Sequence, residues 1–142
     1  MKPIEYYFSS YAAYHKTTGN KLTHYLGIPL IVFSTFGLLY KVQWQDVNLA
    51  LLVWLLSTLF YCRLDWKKAL PFSVLTFLFY WSSRWINSEL HWALFIFGWI
   101  LQGIGHYVYE KKSPAFLTNI SHILIGPFWI FCRFWNFQKA KT

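Results

Sequence analysis

The sequence has 142 residues, of which 56% are hydrophobic, 23% aromatic and only 13% charged, and its formal net charge is +8. Soluble domains carry about 25% charged residues, so this composition argues against a water-soluble fold. Lys and Arg residues flank apolar stretches, which indicates contact with anionic lipid or an acidic substrate and argues against a nucleic-acid partner. The length suits one domain, and we expect a single integral-membrane domain over residues 1–142.

The first segment of the chain has the spacing of an amphipathic helix. Its apolar and aromatic residues recur every three or four positions: Ile4, Tyr7, Phe8, Tyr11, Tyr14 and His15. A secretory signal peptide is not expected, because a continuous apolar core is missing. Two interpretations stay open, a helix in the membrane interface and an ordinary helix packed on the bundle.

Apolar stretches then follow one another through the rest of the chain. A spanning helix needs about 20 apolar residues, which predicts four spans near 22–40, 47–63, 69–86 and 91–109. A fifth stretch, 119–135, contains Gly126-Pro127 and is predicted to be re-entrant or interfacial. The predicted fold class is therefore all-α, a polytopic membrane bundle of about four spanning helices between these two terminal segments.

Basic residues set the predicted orientation of this bundle. Lys and Arg are more frequent in the N-terminal segment and in every second loop, which places the N-terminus in the cytoplasm. The tail, with Lys139 and Lys141, is predicted on the same side. A bacterial inner membrane and an endoplasmic reticulum fit this pattern equally well.

Five histidines occur in the chain, and the layout predicts that four of them share the cytoplasmic face: His15, His24, His106 and His122. The fifth, His91, begins the fourth span on the opposite side, about 22 Å from His106 at 1.5 Å per residue, and is predicted to be a plain interfacial residue. Neutral imidazole is the commonest metal ligand, so the four predict a metal site at the membrane surface. Zn, Cu, Fe and Ni all suit imidazole, and scattered interfacial histidines are the alternative.

Local spacing adds detail to this candidate site. Gly19-Asn20 has the residue types of a helix end and a new helix start, so a chain break there would let His15 and His24 converge. Glu110 shares a helix face with His106, where it can be a ligand, an acceptor for an imidazole N–H or a partner of a lysine. A weak repeat relates residues 24–33 to 122–131, each beginning with His and carrying Pro five residues later.

Other sites with recognisable motifs are missing from the sequence. It contains no H-E-x-x-H, G-x-S-x-G or P-loop pattern, nor the closely spaced histidine boxes of membrane desaturases. Cys62 and Cys132 are far apart in the chain, and we interpret both as small packing residues.

Two segments carry a family resemblance. Residues 14–30 (YHKTTGNKLTHYLGIPL) and 102–119 (QGIGHYVYEKKSPAFLTN) resemble the Mpo1-like family, while the second and third apolar stretches match it only in hydropathy. The resemblance implies an Fe(II)-dependent enzyme of fatty-acid α-oxidation with His15, His24 and His106 as iron ligands. His122 is included as a fourth candidate metal ligand, and Glu110 joins the three histidines as a candidate catalytic residue.

The implied reaction converts a 2-hydroxy fatty acid and O2 to the fatty acid one carbon shorter and CO2. The hydroxy acid supplies all four electrons that O2 accepts, so no reductase or flavin site is required. Substrate, O2 and membrane lipid are the expected partners, and acyl length and oligomeric state are left open. The alternative function is a non-enzymatic membrane protein that binds lipid or metal.

Overall fold

The computed structural model describes residues 2–135 and is built almost wholly of helices. Its α-helices and short strands, in chain order, are α1 (Ile4–Ala12), α2 (Thr18–Tyr40), β1 (Gln43–Trp44), β2 (Val47–Asn48), α3 (Leu49–Ser83), α4 (Ser88–Gly103) and α5 (His122–Phe134). A π-helix, Ile104–Glu110, continues α4, and a 3-10 turn, Ala115–Leu117, precedes α5. The two strands form a small antiparallel hairpin between α2 and α3. The tail lysines Lys139 and Lys141 lie outside the described residues.

The sequence predicted a break between α1 and α2 at Gly19-Asn20. In the structure this break lies earlier, between Ala12 and Thr18. Thr17 is the N-cap of α2, because its hydroxyl oxygen accepts a hydrogen bond from the Asn20 backbone N–H. Gly19 and Asn20 therefore belong to the first turn of α2. A Cβ on Gly19 would overlap the ring of Tyr109, so this glycine permits a close contact with the π-helix.

Helices α2 and α4 pack closely side by side. At their crossing a Cβ added to Gly98 would come within 2.7 Å of an Ile31 side-chain carbon and 2.9 Å of the Gly27 carbonyl oxygen. Small residues let helix backbones approach in this way, which is the usual packing of membrane helices. The interface holds the start of α2 beside the end of α4, where the histidines of both helices lie.

Helix α3 is a pair of antiparallel arms, 49–64 and 66–83, that are joined at Asp65. The backbone of Asp65 is extended (φ −162°, ψ 97°), and its carboxylate accepts from the Lys67 and Lys68 N–H groups as a cap of the second arm. The arms touch, since the Trp54 indole N–H donates to the Ser73 carbonyl oxygen at 3.2 Å. The predicted second and third apolar segments are thus separate arms of one turned-back helix.

Helices α1 and α5 close one end of the bundle. Phe8 of α1 lies edge-on to Phe128 of α5, with ring centroids 5.8 Å apart. Tyr11 contacts Trp129 in the same interface, at 5.3 Å. Helix α1 therefore packs on the bundle, and most of α5 is buried against its neighbours.

Two helices within residues 2–135 are long and apolar enough to cross a membrane, Thr18–Tyr40 and Leu49–Ser83. Helices α4 and α5 are shorter, with 16 and 13 residues. The expectation of a helical, membrane-compatible chain is met, whereas the number of about four spans is not confirmed.

Candidate metal centre

Three histidines from different parts of the fold meet at the end of the bundle where α2 begins. His15 comes from the connection between α1 and α2, His24 from the second turn of α2, and His106 from the π-helix. All three are buried, and each offers a ring nitrogen that lies within 4.8 Å of those of the other two. The close spacing follows from the α2–α4 packing, which brings the start of one helix to the end of the other.

Backbone carbonyls orient two of these rings. The Nδ1 atom of His15 lies 2.7 Å from the Tyr11 carbonyl oxygen, and Nδ1 of His24 lies 2.8 Å from the Asn20 carbonyl oxygen. A carbonyl only accepts hydrogen bonds, so in each ring Nδ1 carries the proton and Nε2 keeps a free lone pair. Both rings therefore present a metal-binding nitrogen to the centre.

The ring nitrogens that face the centre are not all hydrogen-bonded by other groups of the protein. Nε2 of His24 faces Nε2 of His106 at 3.1 Å, and Nε2 of His15 has no hydrogen-bond partner among the described residues. Burial lowers the pKa of His15 to about 4, against the opposing effect of its hydrogen bond to Tyr11. This ring is therefore neutral at pH 7, the form that binds a cation.

The π-helix gives His106 its position. Its backbone turns are wider than those of an α-helix, a geometry that is frequent at functional sites. Gly105 lies against α2, where an added Cβ would overlap Thr23 and come within 2.5 Å of the Asn20 side-chain oxygen and 3.0 Å of the His24 ring. The absence of a side chain at Gly105 thus allows His106 to approach His24.

Glu110, at the end of the π-helix, binds the connection that carries His15. Its carboxylate accepts hydrogen bonds from the backbone N–H groups of Lys16 and Thr17, the Thr17 hydroxyl and the Asn20 amide, all at 3.0–3.1 Å. Burial alone would raise its pKa, but these bonds outweigh burial and lower it to about 2. The carboxylate therefore acts on the site through the backbone of the His15 segment, a role that differs from the three considered from spacing.

His122 lies near the cluster and outside the group of three. It opens α5, is buried, and its Nε2 lies 3.1 Å from the Ser10 hydroxyl. Its ring is edge-on to Tyr11 at 5.8 Å. The assignment of His122 as a fourth metal ligand stays a prediction.

His91 lies at the other end of α4, as the layout predicted, but it is not an interfacial residue. It is fully buried, its Nε2 lies 2.8 Å from the Ser83 carbonyl oxygen, and its ring fills the space beside Gly37. A histidine that opens a span can pack inward when a glycine on the neighbouring helix leaves room. His91 is thus a packing residue that ties α4 to α2 and α3.

Tyr11 is a residue at the site that the sequence analysis did not single out. Its ring stacks on His15 with centroids 3.9 Å apart and an interplanar angle of 13°. Its carbonyl oxygen also accepts from the same imidazole. The signal was present in the spacing, because Tyr11 and His15 are four residues apart on the predicted helical face.

The donor set fits a transition-metal ion. Three neutral imidazoles converge, one of them has an unpartnered buried nitrogen, and two others have nitrogens that face each other. Imidazole ligands suit Zn, Cu, Fe or Ni, and three of them leave positions open for other ligands. A cavity of about 280 Å³ adjoins the cluster and is lined in part by the same three rings.

Comparisons with known proteins agree with one another. A family model described as "2-hydroxy-palmitic acid dioxygenase Mpo1-like" matches residues 1–138. The 2-hydroxy-palmitic acid dioxygenase MPO1 of Saccharomyces cerevisiae is 32% identical over 132 residues, which cover 87% of this chain and 75% of the yeast protein. No solved structure matches the chain. Both matches point to the family that residues 14–30 and 102–119 resemble.

Proposed function

The chain belongs to the Mpo1-like family, and from that premise we propose that it is an Fe(II)-dependent 2-hydroxy-fatty-acid dioxygenase. The reaction takes R–CH(OH)–COOH and O2 to R–COOH, CO2 and water, which balances in atoms and electrons without a further reductant. The observation that carries the proposal is the buried group of three imidazoles with converging nitrogens, beside a cavity of apolar character.

In this proposal His15, His24 and His106 hold the metal. Fe(II), when bound there, supplies the redox chemistry with O2. The carbonyl oxygens of Tyr11 and Asn20 keep Nδ1 of two rings protonated, so their Nε2 atoms stay available as ligands. Glu110 is a positioning residue, since its hydrogen bonds fix the segment that carries His15. Tyr11 covers one face of His15 and keeps water from it.

We also propose that residues 1–142 form one multi-pass membrane domain whose metal centre faces the cytoplasm. Between residues 2 and 135, nine basic and three acidic residues lie at the histidine end of the bundle, a net charge of +6. The basic ones are Lys2, Lys16, Lys21, Arg63, Lys67, Lys68, Lys111, Lys112 and Arg133. Two basic and two acidic residues lie at the other end, and an excess of positive charge marks the cytoplasmic side.

The decisive experiment combines metal analysis with product identification. Protein purified in detergent should contain near-stoichiometric iron and convert a 2-hydroxy fatty acid under O2 to the acid one carbon shorter. The variants His24→Ala and His106→Ala should lose the iron and the activity. Tyr107→Ala is the matched control, because this neighbour of His106 is exposed. Iron-loaded protein that forms no shortened acid would rule out the reaction, and bound zinc without O2 consumption would favour a non-enzymatic metal protein.

A further inference from the structure

The cavity beside the metal centre is long and follows α2. Its wall includes His24 and Phe36, which are twelve residues apart and hence about 18 Å apart along the helix axis. The two arms of α3 contribute the opposite wall, with Val53 near the far end. A volume of about 280 Å³ is close to the lower end of the range for small-molecule sites, about 300–1,000 Å³.

Three hydroxyl groups in the cavity wall already donate hydrogen bonds within the protein. The Ser57 hydroxyl donates to the Trp54 carbonyl oxygen, the Thr76 hydroxyl to that of Phe72, and the Tyr61 hydroxyl to that of Leu124. Each hydroxyl is thus occupied by backbone. Apart from Thr35, the remaining far wall is aliphatic and aromatic, which suits a hydrocarbon chain and disfavours a polar ligand.

Gln102 is an exception to this pattern, and it lies at the histidine end. Its side chain is only 6% exposed, and its amide nitrogen has no hydrogen-bond partner among the described residues. The amide lies over Gly27, one turn beyond His24 on α2, and Gln102 is itself one turn before His106. A buried amide that lacks a partner costs free energy unless a ligand satisfies it.

We propose that this cavity binds the acyl chain of a long-chain 2-hydroxy acid and that the Gln102 amide donates a hydrogen bond to the 2-hydroxyl group of that acid. The identity of the head group rests on the proposed function. The position of the hydrocarbon chain rests on the cavity alone. The head lies between the three imidazoles and the Gln102 amide. The chain runs along α2 toward Phe36, so the far wall limits the length of chain that fits.

Photo-crosslinking tests the path of the chain. The probe is 2-hydroxy-palmitic acid with a diazirine at its methyl end, bound without O2 to the iron-loaded full-length chain. Adducts are expected on the far wall, at Val32, Phe36 or Val53, and a diazirine next to the head group should label residues near His24. Adducts confined to outward-facing residues such as Leu56 would overturn the proposal. Because no turnover is needed, a failure of the proposed reaction would leave this result standing.

A cavity-filling pair of variants tests the length limit. Val53→Phe places a larger side chain at the far end, whereas the matched Leu52→Phe change lies on the outer surface. Val53→Phe should weaken binding of 2-hydroxy-palmitic acid about tenfold or more and leave that of 2-hydroxy-octanoic acid unchanged. Leu52→Phe should change neither. Equal weakening of both acids by Val53→Phe, at unchanged iron content, would overturn the length limit.

A second variant pair tests Gln102. Gln102→Met keeps the length of the side chain and removes its hydrogen bonds, and Ile100→Met is an exposed control on the same helix. Without O2, the wild-type chain should bind 2-hydroxy-palmitic acid more tightly than palmitic acid. Gln102→Met should reduce that preference about tenfold, the factor for one lost hydrogen bond of about 1.4 kcal/mol. An unchanged preference, with iron still bound, would assign Gln102 to packing and overturn its role in recognition.

Discussion

The orientation of single imidazoles decides what the site can bind. His15 and His24 each lie four residues after the carbonyl group that holds them, so one helical turn supplies both the ring and its orienting acceptor. Glu110 performs a similar task from a distance, since it holds the backbone on which His15 is carried. The site therefore depends on groups that never touch the metal position.

Replacement of His91 separates a packing histidine from the three proposed metal ligands. His91→Ala should keep iron bound, because the ring lies at the opposite end of α4. It should destabilise the fold by about 2 kcal/mol, since it leaves a cavity beside Gly37 and removes a hydrogen bond to the Ser83 carbonyl. Iron analysis together with thermal unfolding checks both outcomes, and loss of iron at unchanged stability would contradict the layout.

Acid should weaken the attachment of the His15 segment through Glu110. The folded-state pKa of Glu110, about 2, lies below the ordinary value of about 4.3, so its carboxylate stabilises the folded chain at neutral pH. This contribution is complete above about pH 4.5 and is lost as the pH falls toward 2. Glu110→Gln should remove it, so the difference in stability between wild type and variant should shrink across that range.

Hydrogen exchange of the Lys16 and Thr17 backbone amides measures this effect locally. At pH 7 the two amides should exchange faster in Glu110→Gln than in wild type, because their acceptor is weaker. A variant whose amides stay as protected as in the wild type would show that the carboxylate charge does not hold this segment.

At the scale of elements, the α2–α4 contact and the π-helix place the histidines together. The contact at Gly27 and Gly98 sets the distance between the helices, and Gly105 repeats the close approach at the level of His24. The wider turns of the π-helix then determine where His106 points. Neither element contains the whole site, so a change in the packing between them should alter metal binding.

Two glycine substitutions on the same helix test this dependence. Gly98→Ala should overpack the interface, because the new Cβ would lie 2.9 Å from the Gly27 carbonyl oxygen, at a cost of about 1–3 kcal/mol. Iron content should fall as well. Gly103→Ala meets nothing within 4 Å and should be neutral or stabilising by up to about 1 kcal/mol. Thermal unfolding and metal analysis compare the two variants. Equal stability and equal iron content would show that the α2–α4 packing does not control the metal site.

Parts of these elements could be predicted from the sequence. Apolar runs and charge placement predicted the helical class and that His15, His24 and His106 lie at one end of the bundle. The convergence of the three followed from the alternating direction of successive helices. Family resemblance of the two histidine segments pointed to the same residues.

Other parts depend on tertiary contacts that a single sequence does not display. The break between α1 and α2 precedes Thr17, because the Thr17 hydroxyl caps α2. Gly19, the predicted position of the break, lies in the first turn of α2 beside Tyr109. The π-helix has no signature in hydropathy. The partners of Glu110 lie about 90 residues away in the chain, so helical spacing could not reveal them.

For the whole molecule, the two ends of the bundle differ in charge, and both present exposed tryptophans. The histidine end carries the positive excess, while the far end presents two strongly exposed tryptophans, Trp44 and Trp85, with relative exposures of 81% and 76%. Arg84 stacks on Trp81 at the same end, 3.3 Å from the ring centroid. Tryptophan and arginine of this kind are typical of a membrane–water interface.

Cysteine labelling tests the proposed orientation. In a background without Cys62 and Cys132, Asp46→Cys reports the far end and Lys112→Cys the histidine end. An impermeant maleimide added to intact cells should label Asp46→Cys, whereas Lys112→Cys should react only after the membrane is opened. Both positions are exposed in the fold, and labelling of the two from the same side would contradict a membrane-spanning arrangement.

The unequal support of the three imidazoles has a consequence for metal selection. His15 and His24 are anchored by carbonyl groups, while Nδ1 of His106 has no hydrogen-bond partner among residues 2–135. The His106 ring can therefore tilt to accommodate ions of different radius without breaking a hydrogen bond at Nδ1. A site with two fixed rings and one adjustable ring would accept divalent ions of different radius. Iron supplied in the growth medium is therefore required for the iron content expected above, and activity regained on reloading with single metals identifies the native ion.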